Sequence, residues 1–317
     1  MKKLSPRSVV RGDMVGILAP ATLVDPHLLH EGAERIGSWG YPVCFDDRIL
    51  AQERFLAGPD ETRARNLHDF VMNPMIRALW CARGGYGVPR ILPLLDHLRT
   101  AQAMRRDPKP LLGYSDITAL HLYFWGRCGL KSVHAPLTAT AKFLNPGGGA
   151  VRVLRETLDG TAKLGAKCHT AKWPLRPIKP LGRAVEGTLL GGNLTLIASL
   201  AGTPWQPSFR GSILFLEDCA EPAYRLDRMI TQLWNSGMLD GLRAVVCGDF
   251  EADLVVKTPA EKKWWRAVME DRFLRRGVPV ITGAPVGHGA RNEPLPLGVR
   301  ARVTKAGRLE ILEQVVS

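Results

Sequence analysis

The sequence lacks the residue spacings of the common metal and nucleotide sites. No C-x-x-C pair occurs, and no cysteine stands at metal-ligand spacing from a histidine. No segment matches G-x-x-x-x-G-K-[ST], and neither GGYG nor PGGGA fits the dinucleotide fingerprint. The pattern therefore predicts no metal site and no phosphate loop. The six cysteines are widely scattered, which indicates reduced thiols in a cytoplasmic protein: Cys44, Cys81, Cys128, Cys168, Cys219 and Cys247.

The sequence also lacks a long apolar run and a long basic tract. The first apolar run, MVGILAPA, is too short and too late for a signal-peptide core, so we expect neither a signal peptide nor a membrane span. The net charge is +13, and the basic residues stand in scattered short groups such as Arg105-Arg106 and Lys262-Lys263. A nucleic-acid groove favours a continuous basic stripe with interleaved aromatic residues. We therefore expect no nucleic-acid partner, while an acidic small substrate fits the charge.

What is present indicates a globular protein of two domains. The 317 residues are 45% hydrophobic and 23% charged, which is ordinary for a soluble chain of this length. Short apolar runs alternate with amphipathic segments, and this β-α order predicts an α/β fold. We expect a Rossmann-like, mostly parallel sheet in an N-terminal domain over 1–144. A Pro-, Lys- and Gly-rich linker over 145–182 then leads to a β-rich α/β domain over 183–317.

Three polar residues follow predicted strands, where α/β proteins place their ligands. Ser115 in LLGYSDITAL follows a strand over 111–113, Glu217 ends a strand over 212–217, and His288 lies between two glycines in GAPVGHGARN. Together they supply the nucleophile, acid and base of a serine hydrolase. Each also has a structural interpretation, as a helix cap for Ser115 and for Glu217-Asp218 or a loop histidine for His288. His134, at the end of another strand, is the rival base.

A glycine-rich turn, ARGGYG, follows the predicted strand over 77–82. Its paired glycines permit backbone N–H groups to approach a ligand closely. The turn therefore fits an oxyanion or carboxylate cradle, although a plain tight turn accounts for the same residues.

These residues lie in ordered blocks that resemble the murein LD-carboxypeptidases and their microcin-immunity relatives, serine peptidases with two α/β domains. The blocks span most of the chain from Phe55 to Gly298 and read FLAGPDETRARNLHDF, ARGGYGVPRILPLLD, PKPLLGYSDITAL, GTLLGGNLTLIASLAGTPW, ILFLEDCAEPAYRLDRMITQL, CGDF and GHGARNEPLPLG. The resemblance implies that Ser115 is the nucleophile, His288 the base and Glu217 the acid that orients the histidine. One departure is visible, because the family often reads H-G-P where this chain has His134-Ala135-Pro136.

The resemblance further implies an oxyanion hole formed by backbone N–H groups at Asp116 and Gly85. Candidates for contacts with the substrate are Arg83, Tyr86, Asn193 and Arg225. The implied reaction releases the terminal D-alanine from cytoplasmic murein tetrapeptides during cell-wall recycling, without a metal or organic cofactor, in a homodimer. The alternatives are a microcin-type hydrolase of peptidyl-nucleotides, and a binding protein for acidic peptides that performs no catalysis.

Overall fold

The structure is a computed structural model that describes residues 3–145, 149–250 and 259–317. By its internal contacts the chain divides into two compact units. The first unit comprises Met1–Thr161, Pro294–Gly298 and Val315–Ser317, and the second comprises Ala162–Glu293 and Val299–Gln314. The range 145–182, interpreted from sequence as a linker, contains a helix at Ala150–Asp159 whose Val153, Leu154 and Leu158 are buried. This helix belongs to the first unit.

The strands and helices are numbered in chain order. The strands are β1 Met14–Leu18, β2 Val43–Cys44, β3 Ile76–Cys81, β4 Leu111–Gly113, β5 Ser132–His134, β6 Arg176–Pro177, β7 Val185–Asn193, β8 Ser212–Glu217, β9 Ala244–Cys247, β10 Val280–Thr282, β11 Leu295–Leu297, β12 Arg300–Val303 and β13 Leu309–Ile311. The helices are α1 Pro26–Ser38, α2 Asp60–Met72, α3 Val88–His97, α4 Thr100–Arg106, α5 Thr118–Cys128, α6 Ala141–Leu144, α7 Ala150–Asp159, α8 Leu194–Ser199, α9 Ala223–Asn235 and α10 Pro259–Arg272.

The sheet of the first unit has the order β11-β5-β4-β3-β1-β2. All its pairs are parallel except β11 with β5, which is antiparallel with Leu295 opposite His134. The residues of β3 and β4 are almost entirely buried, as expected for strands covered by helices on both faces. The parallel order directs the carboxyl ends of β1, β3 and β4 to one edge of this sheet. The segments that follow these three strands therefore lie together.

The sheet of the second unit has the order β13-β12-β7-β8-β9-β10-β6. Its centre, from β7 to β10, is parallel, whereas β12, β13 and β6 are antiparallel to their neighbours. Every residue of β8 is buried. Beside it, α9 buries Leu226, Ile230 and Leu233, while Met229 of the same predicted face is half-buried. Two mixed α/β units confirm the predicted fold class.

The strand β11 was not expected from the sequence. Its residues Leu-Pro-Leu show no alternation of apolar and polar side chains, and a proline inside a strand usually argues against that assignment. The proline is tolerated because β11 lies at the edge of its sheet. The chain thus returns from the second unit to complete the first sheet.

Candidate active site

Ser115 lies at a strained turn directly after β4. Gly113 and Ser115 have φ angles of +157° and +64°, and a Cβ atom at Gly113 would lie 2.9 Å from the Ile117 side chain. A non-glycine residue rarely adopts such a φ, which costs of order 1–3 kcal/mol and is found mostly at functional sites. Residues Ser115–Ile117 form a 3-10 turn before α5, where the sequence predicted that the helix begins at Asp116. Ser115 is the first residue of this 3-10 turn, and its N-cap position is occupied by Tyr114.

The glycine-rich turn after β3 packs directly against Ser115. A Cβ atom at Gly84 would lie 2.8 Å from the Cβ of Ser115 and 3.1 Å from its Oγ. Gly85 has a φ of +98°, and a Cβ atom there would lie 2.6 Å from Thr22. Only glycine fits these two positions without displacing a neighbour. The turn therefore presents bare backbone beside the serine hydroxyl.

Buried side chains hold this turn in place. Asp116, 1% exposed, accepts the Val88 N–H at 2.7 Å and so joins the serine turn to the end of the glycine-rich turn. Arg63, 2% exposed, donates to the carbonyl oxygen of Gly87 at 3.1 Å and forms an ion pair with Asp60. Burial raises the pKa of Asp116 to about 7, against the opposing effects of the Val88 hydrogen bond and the charge of Arg63.

The second unit contains a hydrogen-bonded acid and histidine. Nδ1 of His288 donates to Oε2 of Glu217 at 2.7 Å. Glu217 is fully buried at the end of β8, whereas the His288 side chain is 15% exposed. A Cβ atom at Gly287, whose φ is +126°, would lie 2.7 Å from Glu217 Oε2. The glycine before the histidine is therefore required for the close approach of the two side chains.

The charge of Glu217 controls the protonation of His288. Burial lowers the pKa of His288, but the Glu217 carboxylate and hydrogen bonds with Cys219 and Glu217 outweigh it and raise the pKa to about 10. The carboxylate thus stabilises the imidazolium form of His288, and its hydrogen bond with Nδ1 also fixes the orientation of the ring. A carboxylate hydrogen-bonded to Nδ1 of a histidine is the acid–histidine pair found in serine-hydrolase triads.

The rival base lies in a different environment. His134 is fully buried in β5, and its ring lies 5.5 Å from that of Tyr114. His121, also buried, bonds to the carbonyl oxygen of Gly113 through Nε2 at 2.9 Å, and burial lowers its pKa to about 4. Of these histidines, His288 alone combines a carboxylate partner described in the structure with a partly exposed ring.

Comparison with known proteins identifies the family. The N-terminal domain model of the LD-carboxypeptidases matches residues 15–135, and the C-terminal domain model matches residues 186–303. The chain is 36% identical over 299 residues to the murein tetrapeptide carboxypeptidase of Pseudomonas aeruginosa, covering 93% of this chain and 94% of that protein. It is 32% identical over 312 residues to a probable murein peptide carboxypeptidase of Bacillus subtilis, covering 98% and 95%.

The chain belongs to the LD-carboxypeptidase family of serine peptidases. A solved muramoyltetrapeptide carboxypeptidase from Oxalobacter formigenes is 32% identical, with a TM-score of 0.74 over 95% of this chain and 99% of that one. The microcin C7 self-immunity protein MccF, solved with glutamyl sulfamoyl guanosine, shares the fold at 21% identity, with a TM-score of 0.83 over 99% of this chain and 100% of that one. The family assignment makes this protein an LD-carboxypeptidase.

Of the other candidate residues of this LD-carboxypeptidase, three are exposed and one is buried. Arg83 and Tyr86 are exposed on the glycine-rich turn, and Tyr86 packs its ring 5.5 Å from that of Phe55. Arg225, exposed on α9, forms an ion pair with Glu221 at 3.3 Å. Asn193 is 3% exposed. It caps α8 through the Leu196 N–H and donates to Asp218 at 3.1 Å.

Asp218 was considered with Glu217 as a cap for the helix that follows β8. That helix, α9, has no side-chain cap, so this interpretation is wrong. Asp218 instead accepts the Thr195 N–H of α8 at 2.9 Å and the Cys219 N–H at 2.8 Å. Burial and the neighbouring Glu217 charge raise the pKa of Asp218 to about 6. Its bonds anchor the segment between Glu217 and α9.

Two residues of this site were missed from the sequence. Arg63 was unremarkable within DETRARN, although a helix position so close to a Gly-Pro turn could have suggested a carbonyl-binding role. Gly248 in CGDF faces Glu217, and a Cβ atom there would lie 3.1 Å from the Glu217 Cβ. Within the parts of the chain that the structure describes, no cluster of His, Cys, Asp or Glu is arranged to hold a metal ion. None of the helices described there has the length and apolarity of a membrane span.

Proposed function

We propose that this LD-carboxypeptidase hydrolyses the bond between the L-centre of meso-diaminopimelate and the terminal D-alanine of murein tetrapeptides, in cytoplasmic cell-wall recycling. The observation that carries the proposal is the Glu217–His288 hydrogen bond of 2.7 Å, together with a serine at a strained turn lined by glycine backbone. The relatives named as murein peptide carboxypeptidases support the choice of substrate.

In this proposal Ser115, His288 and Glu217 act as a catalytic triad. His288 takes the proton of the Ser115 hydroxyl as Oγ attacks the scissile carbonyl carbon. The Glu217 carboxylate stabilises the imidazolium that forms, in keeping with the raised pKa of His288. The imidazolium then donates its proton to the leaving amine of D-alanine, and an acyl-enzyme forms. Water, activated by the same histidine, hydrolyses the ester and restores the serine.

The oxyanion of each tetrahedral intermediate would accept hydrogen bonds from the backbone N–H groups of Asp116 and Gly85. Support comes from the first unit, where Gly84 packs on Ser115 and the Asp116 side chain accepts the N–H of Val88, the first residue of α3 after that turn. Such donors act on the charge of the transition state, and the loss of one typically costs about 3–4 kcal/mol.

An exopeptidase must also recognise the terminal carboxylate of its substrate. Among the proposed contacts, Arg83 has the most suitable chemistry, because it is exposed beside the glycine-rich turn and forms no ion pair with any residue in the described ranges. Tyr86 would extend the same surface. Arg225 and Asn193 already have protein partners, Glu221 and Asp218, and would have to share them.

The direct test is mass spectrometry of a purified murein tetrapeptide incubated with the protein. We expect loss of one D-alanine with the wild-type protein and only a small residual rate of loss with Ser115→Ala, which should still bind the peptide. The single variants Ser115→Ala and His288→Ala and their double variant should show equal residual activity, because groups that act as one unit are not additive. A double variant whose loss of rate equals the product of the two single losses would contradict the triad. Full turnover by Ser115→Ala would refute the proposed nucleophile.

A second candidate function is hydrolysis of peptidyl-nucleotides. It is favoured by the 25% identity to the microcin C7 self-immunity protein MccF of Escherichia coli over 96% of this chain. Cleavage of an aminoacyl sulfamoyl nucleoside at a higher kcat/KM than a murein tetrapeptide would favour this function over the first. We further propose that the protein is a homodimer, which light scattering at micromolar concentration would test.

A further inference from the structure

A cavity of about 750 Å³ lies within the second unit, at the carboxyl ends of β9 and β10. One wall consists of residues that directly follow these strands, including Gly248, Phe250 and Ala284, and the other comes from β6 and α10. Ligands of α/β sheets bind at such strand ends. The volume lies in the range of about 300–1,000 Å³ typical of small-molecule sites.

The cavity adjoins the loop that carries His288. Ala290 and Arg291, which follow the histidine closely, line it together with Asp249. A Cβ atom at Gly289 would lie only 1.2 Å from Asp249 Oδ2, so the His288 loop packs directly on the cavity wall. A ligand in the cavity would therefore be held beside the proposed base.

The lining residues favour an anion. Four are basic, Arg176, Lys262, Arg266 and Arg291, against the single acid Asp249. Across the described ranges, the Arg176 side chain forms no ion pair or hydrogen bond. Arg266 donates to Glu270 at 3.1 Å, and Arg291 lies 3.7 Å from Glu293, so both keep N–H groups for a ligand. Guanidinium groups of this kind bind carboxylates through paired hydrogen bonds.

An aromatic pair forms part of the lining. The rings of Phe250 and Trp265 lie 5.5 Å apart, and both residues line the cavity. Small-molecule sites are lined mainly by apolar and aromatic side chains with a few polar groups. The pair therefore gives the cavity an apolar surface beside its arginines.

We propose that this cavity binds the acidic acyl part of the substrate, the peptide portion that remains after the terminal residue leaves. This inference rests on the proposed carboxypeptidase function. A leaving D-alanine is a single small residue, whereas a murein acyl portion is several residues long and carries several carboxylates. The cavity's size and positive lining match the larger, acidic portion. The proposed specificity contacts are Arg176 and Arg266.

The test compares two substrates and matched variants. The substrates are a murein tetrapeptide and the same peptide with its acyl-side carboxylates amidated and its terminal carboxylate kept. For wild-type protein we expect amidation to raise KM about tenfold, with kcat little changed, because removal of one charged hydrogen-bond acceptor typically weakens binding by about that factor. The double variant Arg176→Gln/Arg266→Gln should raise KM similarly for the acidic peptide and leave the amidated peptide unaffected.

Arg275→Gln is the matched control, because Arg275 is an exposed arginine paired with Asp271 that does not line the cavity. Its KM should equal that of the wild-type protein. Equal effects of the control and cavity variants, or a fall in kcat with constant KM, would overturn the proposal. If wild-type protein cleaves neither peptide, the proposed function fails, and binding to the cavity is tested separately by calorimetry. The ligand is then the acidic tripeptide that remains after loss of D-alanine, and the protein is Ser115→Ala. Replacement of the cavity arginines in this protein should raise the Kd for the tripeptide, and an unchanged Kd would refute the site.

Discussion

Replacement of Glu217 by glutamine should lower the pKa of His288 sharply. In the wild-type protein burial lowers that pKa, but the Glu217 carboxylate, 2.7 Å from Nδ1, and interactions with Cys219 outweigh burial and raise the pKa to about 10. A glutamine keeps the size of the side chain and can still accept the Nδ1 hydrogen bond, but it carries no charge. Burial, which disfavours the imidazolium, and the interactions with Cys219 then remain. We expect the pKa of His288 in Glu217→Gln to fall from about 10 toward its ordinary value of 6.5.

The magnitude follows from the pKa itself. A rise from 6.5 to about 10 corresponds to roughly 5 kcal/mol of preference for the protonated ring in the folded protein. The largest stabilising contribution comes from the buried Glu217 carboxylate, with a further one from Cys219, so one substitution should remove much of this preference. In the proposed mechanism the same charge stabilises the imidazolium that forms when His288 takes the serine proton. We therefore also expect kcat to fall by about 10³–10⁴, as for loss of the acid in other triads.

The assay is an NMR titration of the imidazole, with His288→Gln used to assign its signal. Glu221→Gln is the control, because Glu221 belongs to the same segment after β8 and pairs with Arg225. The control should leave the His288 titration unchanged. An identical His288 pKa in wild type and Glu217→Gln would refute the reasoning.

The same pair should make stability depend on pH. His288 binds its proton more tightly in the folded protein than in the unfolded chain, where its pKa is 6.5. The resulting stabilisation is fully present below pH 6.5 and is lost as the pH rises through about 10. Thermal unfolding from pH 6 to pH 10 should show a steeper loss of Tm for wild type than for Glu217→Gln. Parallel curves would contradict the coupling.

Three further changes test the backbone and the support of the site. The free energy of unfolding of Ser115→Gly should be about 1 kcal/mol higher than that of Ser115→Ala in denaturant titrations, because glycine adopts a positive φ without strain. Equal stabilities would argue against a strained turn. Gly287→Ala should abolish turnover by displacing Glu217. Gly277→Ala is the control and should remain active, because no atom lies within 4 Å of its new Cβ. An active Gly287→Ala would refute the packing argument. Asp116→Asn should keep the hydrogen bond with Val88. In the wild-type protein, burial of Asp116 makes the free energy of unfolding fall as the pH rises from about 4 to about 7, and the Asn variant should lack this fall. Asp116→Ala should break that hydrogen bond and lower kcat without raising KM, and an Asn variant as impaired as Ala would count against this role.

The sequence predicted the elements of the fold well where each one carries its own pattern. The buried strand β8 and the apolar face of α9 were expected within a residue or two, because burial imposes a recognisable period on a strand or a helix. The two-unit α/β class followed from their alternation. The helix α7 lay in a range interpreted as a linker, since Pro- and Gly-rich neighbours outweighed its short apolar face.

The site divides in the same way between residue chemistry and geometry. The sequence by itself determined which side chains are candidates for catalysis, because a serine, a carboxylate and a histidine each follow a predicted strand. Only the tertiary structure decided that Glu217 and His288, separated by 71 positions, lie in hydrogen-bonding contact, and that β11 returns to the first sheet. These contacts depend on strand order and on glycines that leave room for a neighbouring side chain. Local patterns record what each segment buries, but the partner against which it packs is chosen by the whole chain.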